Sequence, residues 1–132
     1  MVNFIDSLKT IRTQGVFNPW FESDVENDID NNSPQKRLNN LKLYLSSRKS
    51  AKYLMVGEAL GYKGGHFSGI PMTSERIITG GKSSDNIYPS HITLLPKLEQ
   101  TSKILRGYTE RTATIVWKTI IEYKVNPFDI VF

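Results

Sequence analysis

The stretch KYLMVGEALGYKGGHFSGIP, residues 52–71, decides how the rest of the chain is read. Tyr53 to Val56 form a compact apolar run stopped by Gly57, the pattern of a buried parallel strand rather than an edge strand. Five of the nine glycines in the 132-residue chain then crowd positions 57, 61, 64, 65 and 69. Glycine tolerates φ > 0 and lets a ligand reach main-chain N–H groups with no Cβ in the way. In α/β proteins ligands sit beyond the carboxyl ends of strands, which is where this segment would lie. A surface loop without chemistry is the plainer alternative.

Upstream, SPQKRLNNLKLYL opens with Ser33 and Pro34, a side-chain oxygen able to cap and a residue with φ already set, so a helix is expected there. Leu38, Leu41 and Leu45 line one face of it, and Lys36, Arg37, Lys42, Arg48 and Lys49 are expected to stay in water. Phe4, Ile5, Leu8 and Ile11 suggest a short amino-terminal helix. Between the two, FNPWFESDVENDIDNN reads as an irregular acidic segment, with Glu22 to Asp30 a solvated loop.

Downstream, TSERIITGG reads as a helix capped by Thr73 or Ser74, closed by Gly80 or Gly81, with Glu75 near its positive end. The prolines of the next segment divide it into short pieces. TATIVWKTIIEYK has strand-favouring residues, but its length and the grouping of Val116, Ile120 and Tyr123 argue for a helix with Thr112 or Thr114 near its start. NPFDIVF turns at Asn126 and Pro127 and begins a second strand. Ile130 to Phe132 look like the first half of a buried strand, and two strands make a poor sheet. A single incomplete domain over residues 1–132, poorly folded on its own, is therefore the expectation.

Composition bounds the function. At 39% hydrophobic and 23% charged, the chain is an ordinary globular one. It has no apolar run near the ~18 residues of a membrane span and no signal-peptide core, so a cytoplasmic protein is expected. Absence of cysteine excludes disulfides, thiolate metal sites and a thiol nucleophile. The two histidines, His66 and His91, are few for a metal site and are read as surface or locally bonded. A net charge of +4 permits a polyanionic partner without requiring one.

With these residues in view, VGEALGYKGGHFSGIPMTSER, preceded by FNPWF and SPQKRLNNLKLYL, resembles the uracil-DNA glycosylase superfamily. The likeness is greatest to bacterial members reading roughly Gly-Glu-Ala-Pro-Gly at the first motif, and it runs from about Asn18 to the end. The resemblance implies a three-layer α/β/α fold around a mostly parallel sheet, here broken off after its second core strand. It also implies hydrolysis of the bond between uracil and deoxyribose in DNA, with no cofactor, no metal and no membrane, by a monomer. A base inside a duplex must be rotated into a pocket to be reached. Its departure as an anion is eased by fixed donors near the uracil oxygen.

Carried over by position, Gly57, Glu58, Ala59, Leu60 and Gly61 match the motif that contacts uracil and places water. Well-known members activate water with aspartate or asparagine where Ala59 stands, so Glu58 becomes the candidate, or else a carboxylate that only holds the turn. Leu60 replaces the motif proline, and Met72, after Pro71, replaces a phenylalanine expected to stack on the base. Phe67 or Tyr62 is the expected substitute for that platform. Gly61 holds the place of a tyrosine that excludes thymine's methyl. Lys63 and Arg76 are the candidate phosphate contacts, along with Lys82. The superfamily's uracil-reading asparagine and later histidine motif have no counterpart in these residues. A non-catalytic nucleic-acid-binding module is the alternative function. A P-loop is weaker, because no lysine followed by serine or threonine ends the glycine run.

Overall fold

A computed structural model describes residues 2–95 and 97–132. The elements run α1 (Val2–Leu8), α2 (Ser33–Ser46), β1 (Tyr53–Leu54), α3 (Gly65–Ser68), α4 (Glu75–Thr79), α5 (Arg111–Glu122) and β2 (Ile130–Val131). This is a mixed α/β architecture, mostly helical, with a small two-stranded parallel sheet. Among the described residues no helix is long and apolar enough to cross a membrane.

The expected helix at Ser33–Pro34 forms, but for a different reason at its first turn. Ser33 is the first helical residue, and its hydroxyl donates to the carbonyl of Thr101 (3.2 Å) instead of capping. Pro34 occupies the first turn, where a missing N–H costs nothing. Leu38, Leu41 and Tyr44 follow at helical spacing and are buried in the core. α5 buries Ala113, Trp117 and Ile120 along one stripe. Its cap is Glu110, whose carboxylate accepts from the N–H groups of Thr112 (2.8 Å) and Ala113 (2.6 Å), a role the sequence reading gave to threonine. Tyr123 lies beyond the last turn and is exposed, so it does not join that stripe.

The two strands pair in parallel, Tyr53 with Ile130 and Leu54 with Val131, as the apolar runs suggested. Flanking bonds from Lys52 N to Asp129 O and from Met55 N to Val131 O, both 2.8 Å, extend the ladder. β1 was expected to be buried and is not: Tyr53 is 62% and Leu54 71% exposed. The physical reason is that β1 has a hydrogen-bonded neighbour on one edge alone.

Two of the cations expected in water are buried. Arg37 donates Nε to Pro19 O (2.6 Å), Nη2 to Glu22 O (2.8 Å), and both Nη atoms to the Asp28 carboxylate. With Nη1 also donating to Thr101 Oγ1 (3.3 Å), every donor of the guanidinium fork is engaged, the condition under which a buried charge is tolerated. The acidic segment is accordingly not a purely solvated loop, because Asp28 is inside with it. Arg48 sits over the Tyr44 ring at 3.9 Å and donates to the carbonyls of Tyr44, His91, Ile92, Pro127 and Ile130. Among the described residues it has no carboxylate partner, and burial pushes its guanidinium below the ordinary arginine value against the pull of Tyr44.

Ser74 occupies the cap position of α4 without a side-chain capping bond, and its hydroxyl is buried with no partner. Glu75 does not face solvent at the helix start. Its buried carboxylate accepts the N–H groups of Thr101 (2.6 Å), Ser102 (2.9 Å) and Tyr108 (3.1 Å) as well as the Ser102 hydroxyl. That one side chain organises the loop between α4 and α5, whose own backbone would otherwise leave donors unpaired.

Candidate functional site

The glycine-rich segment after β1 lines a cavity of about 730 Å³. One wall is the chain from Leu54 to Leu60, continued by Tyr62, His66, Pro71 and Met72. A second wall is Gly15 to Trp20 with Leu8 and Ile11 of the amino-terminal segment, meeting the first where the Phe17 ring stacks on His66 at 4.2 Å, and Phe132 also lines the cavity. The lining is mainly apolar, as small-molecule pockets usually are, with few polar groups to orient a ligand.

The second wall is fixed by three side-chain bonds. Asn18 Nδ2 donates to the carbonyls of Leu8 (2.6 Å) and Ile11 (3.0 Å), and Trp20 Nε1 donates to Gly69 O (3.0 Å). These bonds hold the FNPWF segment against the glycine run, a placement that its irregular, acidic reading did not foresee. Phe17 and Trp20 are therefore cavity residues that the sequence reading passed over. The signal available was the density of aromatics in that short stretch.

In the largely exposed segment from Val56 to Lys63, of which Val56 to Leu60 and Tyr62 line the cavity, the main-chain N–H groups donate to no other group among the described residues. Free backbone donors beside an apolar cavity form a surface suited to carbonyl or anionic oxygens. Of the five glycines of the run only Gly69 has a positive φ, 77°, and a Cβ there would overlap the backbone of Arg37 in α2. A Cβ at Gly57 would come 3.0 Å from Met72 Cε, the movable end of a flexible side chain, so this contact alone does not demand glycine. Met72 itself sits at φ 49°, an uncommon conformation for a residue with a side chain.

The candidate residues divide as follows. Gly57, Glu58, Ala59, Leu60, Tyr62, Pro71 and Met72 line the cavity together. Glu58 and Ala59 are exposed, and Gly61 is adjacent to the wall without lining it. Phe67 is not on the wall. It is fully buried, stacked on Tyr108 (4.5 Å between centroids, 23°) and edge-on to Tyr62 (5.9 Å), so Tyr62 is the ring that faces the cavity. Lys63 is exposed and Arg76 half-buried, and neither lines the cavity; Lys82 bonds Thr114 Oγ1 (3.2 Å) on α5.

His66, read as surface or locally bonded, is half-buried and bonded to Asp24, 42 residues away in the chain, and it also lines the cavity. Its Nε2 meets Asp24 Oδ2 at 3.1 Å, and its ring stacks on Phe17 at 4.2 Å and 14°. Burial pushes the imidazole below its ordinary value of 6.5, against the opposing pull of Asp24. Burial would raise Asp24, but hydrogen bonds from Asn27 and His66 outweigh it and hold the carboxyl below 3.8. At neutral pH the pair is thus a carboxylate and a neutral imidazole whose Nε2 carries the proton.

No protein-family model, no curated protein and no solved structure matches this chain.

Proposed function

We propose that this chain supplies the uracil-binding part of a base-excision DNA glycosylase. The observation that carries the reading is the run of unpartnered main-chain N–H groups from Val56 to Lys63, at the end of a parallel strand and beside a cavity of about 730 Å³. Such donors suit the carbonyl oxygens of a flipped pyrimidine and the charge that grows on them as the glycosidic bond breaks. In this reading β1 and β2 belong to the mostly parallel sheet of a three-layer α/β/α fold, and the open edge of β1 is where that sheet widens. Glu58 is the water-positioning candidate, and Tyr62 and Met72 contact the base. Lys63 and Arg76 meet DNA phosphates outside the cavity.

A non-catalytic base-binding module is the second reading, favoured by Ala59, which offers no polar atom where a water-activating group is expected. A single-stranded oligonucleotide with one uracil, and its thymine twin, separate the readings. Preferential binding of the uracil strand supports both. Alkali-labile breaks at uracil support the enzyme, and retention with the strand intact supports the module. Equal, weak binding of both strands would remove the uracil assignment altogether.

A further inference from the structure

We propose that His66, with its tautomer fixed by Asp24, reads the ring N–H of the bound pyrimidine through Nδ1 and so selects an imide edge over that of cytosine. The inference rests on the base-binding reading above and adds the residue that sets its specificity.

The geometry narrows the choice of acceptor. An imide presents carbonyl, N–H, carbonyl, so its partner must offer donor, acceptor, donor. The unpartnered N–H groups of the Val56–Lys63 segment can supply only donors. An acceptor can come from a main-chain carbonyl or from a side chain lining the same cavity, and among the side chains the choice is narrow. Asn18 is spent, since Nδ2 holds two carbonyls and Oδ1 accepts Trp20 N at 3.0 Å. Tyr62 has a hydroxyl on a largely exposed ring, 3.4 Å from Asn27 Nδ2, and Glu58 is exposed to water. His66 alone among these is both held and poised. Its main-chain N–H donates to Gly61 O (3.3 Å), its ring is stacked on Phe17, and its Nε2 is committed to Asp24. That commitment makes Nδ1 the lone-pair nitrogen of the neutral ring, and Nδ1 has no partner among the described residues.

The charges around this ring are Asp24 in direct contact, Asp28 and Arg37 behind it, and Glu58 on the cavity wall, with the Tyr62 phenol 4.9 Å away between ring centroids. Protonation would turn Nδ1 into a donor and abolish the imide match. Cytosine, whose ring nitrogen is an acceptor, would then be the better fit. The preference for imide over cytosine is therefore expected at neutral pH and weakens as the solution becomes acidic enough to protonate His66.

The test is a titration of the ¹⁵N-labelled chain with uracil, 3-methyluracil and cytosine, following the amides of Gly57 to Gly61 and the ring nitrogens of His66. His91, whose Nδ1 accepts from Tyr88 N (3.1 Å), serves as internal reference. Uracil is expected to shift both the wall amides and His66 Nδ1, and to bind about tenfold more tightly than 3-methyluracil or cytosine at neutral pH. His66→Phe keeps a ring against Phe17 and removes the nitrogens, and should bring uracil down to the level of 3-methyluracil. If the amides respond equally to all three ligands while His66 Nδ1 stays still, this inference fails and base binding stands. If uracil moves neither, both fail. Should the variant not fold, the nitrogen shifts of the unaltered chain decide alone.

Discussion

Arg37 and Asp28 meet inside the protein as a two-pronged ion pair, Nη1 to Oδ1 at 2.6 Å and Nη2 to Oδ2 at 3.1 Å, with side chains 0% and 2% exposed. The contact ties α2 to the segment that forms the second wall of the cavity, through Pro19 O and Glu22 O on the same guanidinium. Removing one partner strands the other in a dry interior.

Asp28→Ala is accordingly expected to lower stability by about 3–5 kcal/mol, read from urea unfolding. Replacing both members, Arg37→Met with Asp28→Leu, should cost less than either single change. A single-mutant loss within a few tenths of a kcal/mol would show that water reaches the pair.

Gly69 and Gly15 have nearly the same backbone, φ 77° and 76°, in opposite surroundings. A Cβ at Gly69 overlaps the Arg37 backbone, whereas Gly15 has open space. Gly15→Ala should cost the ~1–2 kcal/mol of a left-handed residue, and Gly69→Ala distinctly more. Thermal melts of the two variants make the comparison, and equal losses would mean that α2 yields to the extra methyl.

Stability should fall in acid in two stages. His66 and His91 are both held below 6.5 by burial, so the unfolded chain takes up protons first as pH drops through 6.5, and the folded state weakens from there. Asp24, held below 3.8, contributes stability above that value and loses it as pH falls through its folded value. Melting temperatures at pH 7.5 and 5.5 check the first stage, and His66→Phe should reduce the difference. A flat profile over that interval would contradict the burial of the imidazole.

The helices at Ser33 and Arg111, the parallel strands at Tyr53 and Ile130 and the position of the glycine run beside a cavity were legible because each depends on local pattern. What was not legible depends on partners far along the chain. Nothing near Arg48 announces five carbonyls from three separate segments, and nothing near His66 points to Asp24, 42 residues away. Phe67 and Tyr62 lie five positions apart in one motif, and only tertiary packing decides that one ring goes inward and the other toward the cavity. The exposure of β1 likewise follows from how many neighbours it acquires, which a run of apolar residues does not encode.

Two residues per strand would ordinarily fray on their own, yet the guanidinium of Arg48 grips Ile130 O at 2.9 Å from the inner side. Releasing β2 would leave an arginine charge short of an acceptor in a dry place, so the ribbon's end cannot peel away separately from the core. The Met55 amide, which donates to Val131 O, should then exchange its proton with solvent only when the molecule opens as a whole. A short ribbon beside the cavity thus inherits the rigidity of the interior.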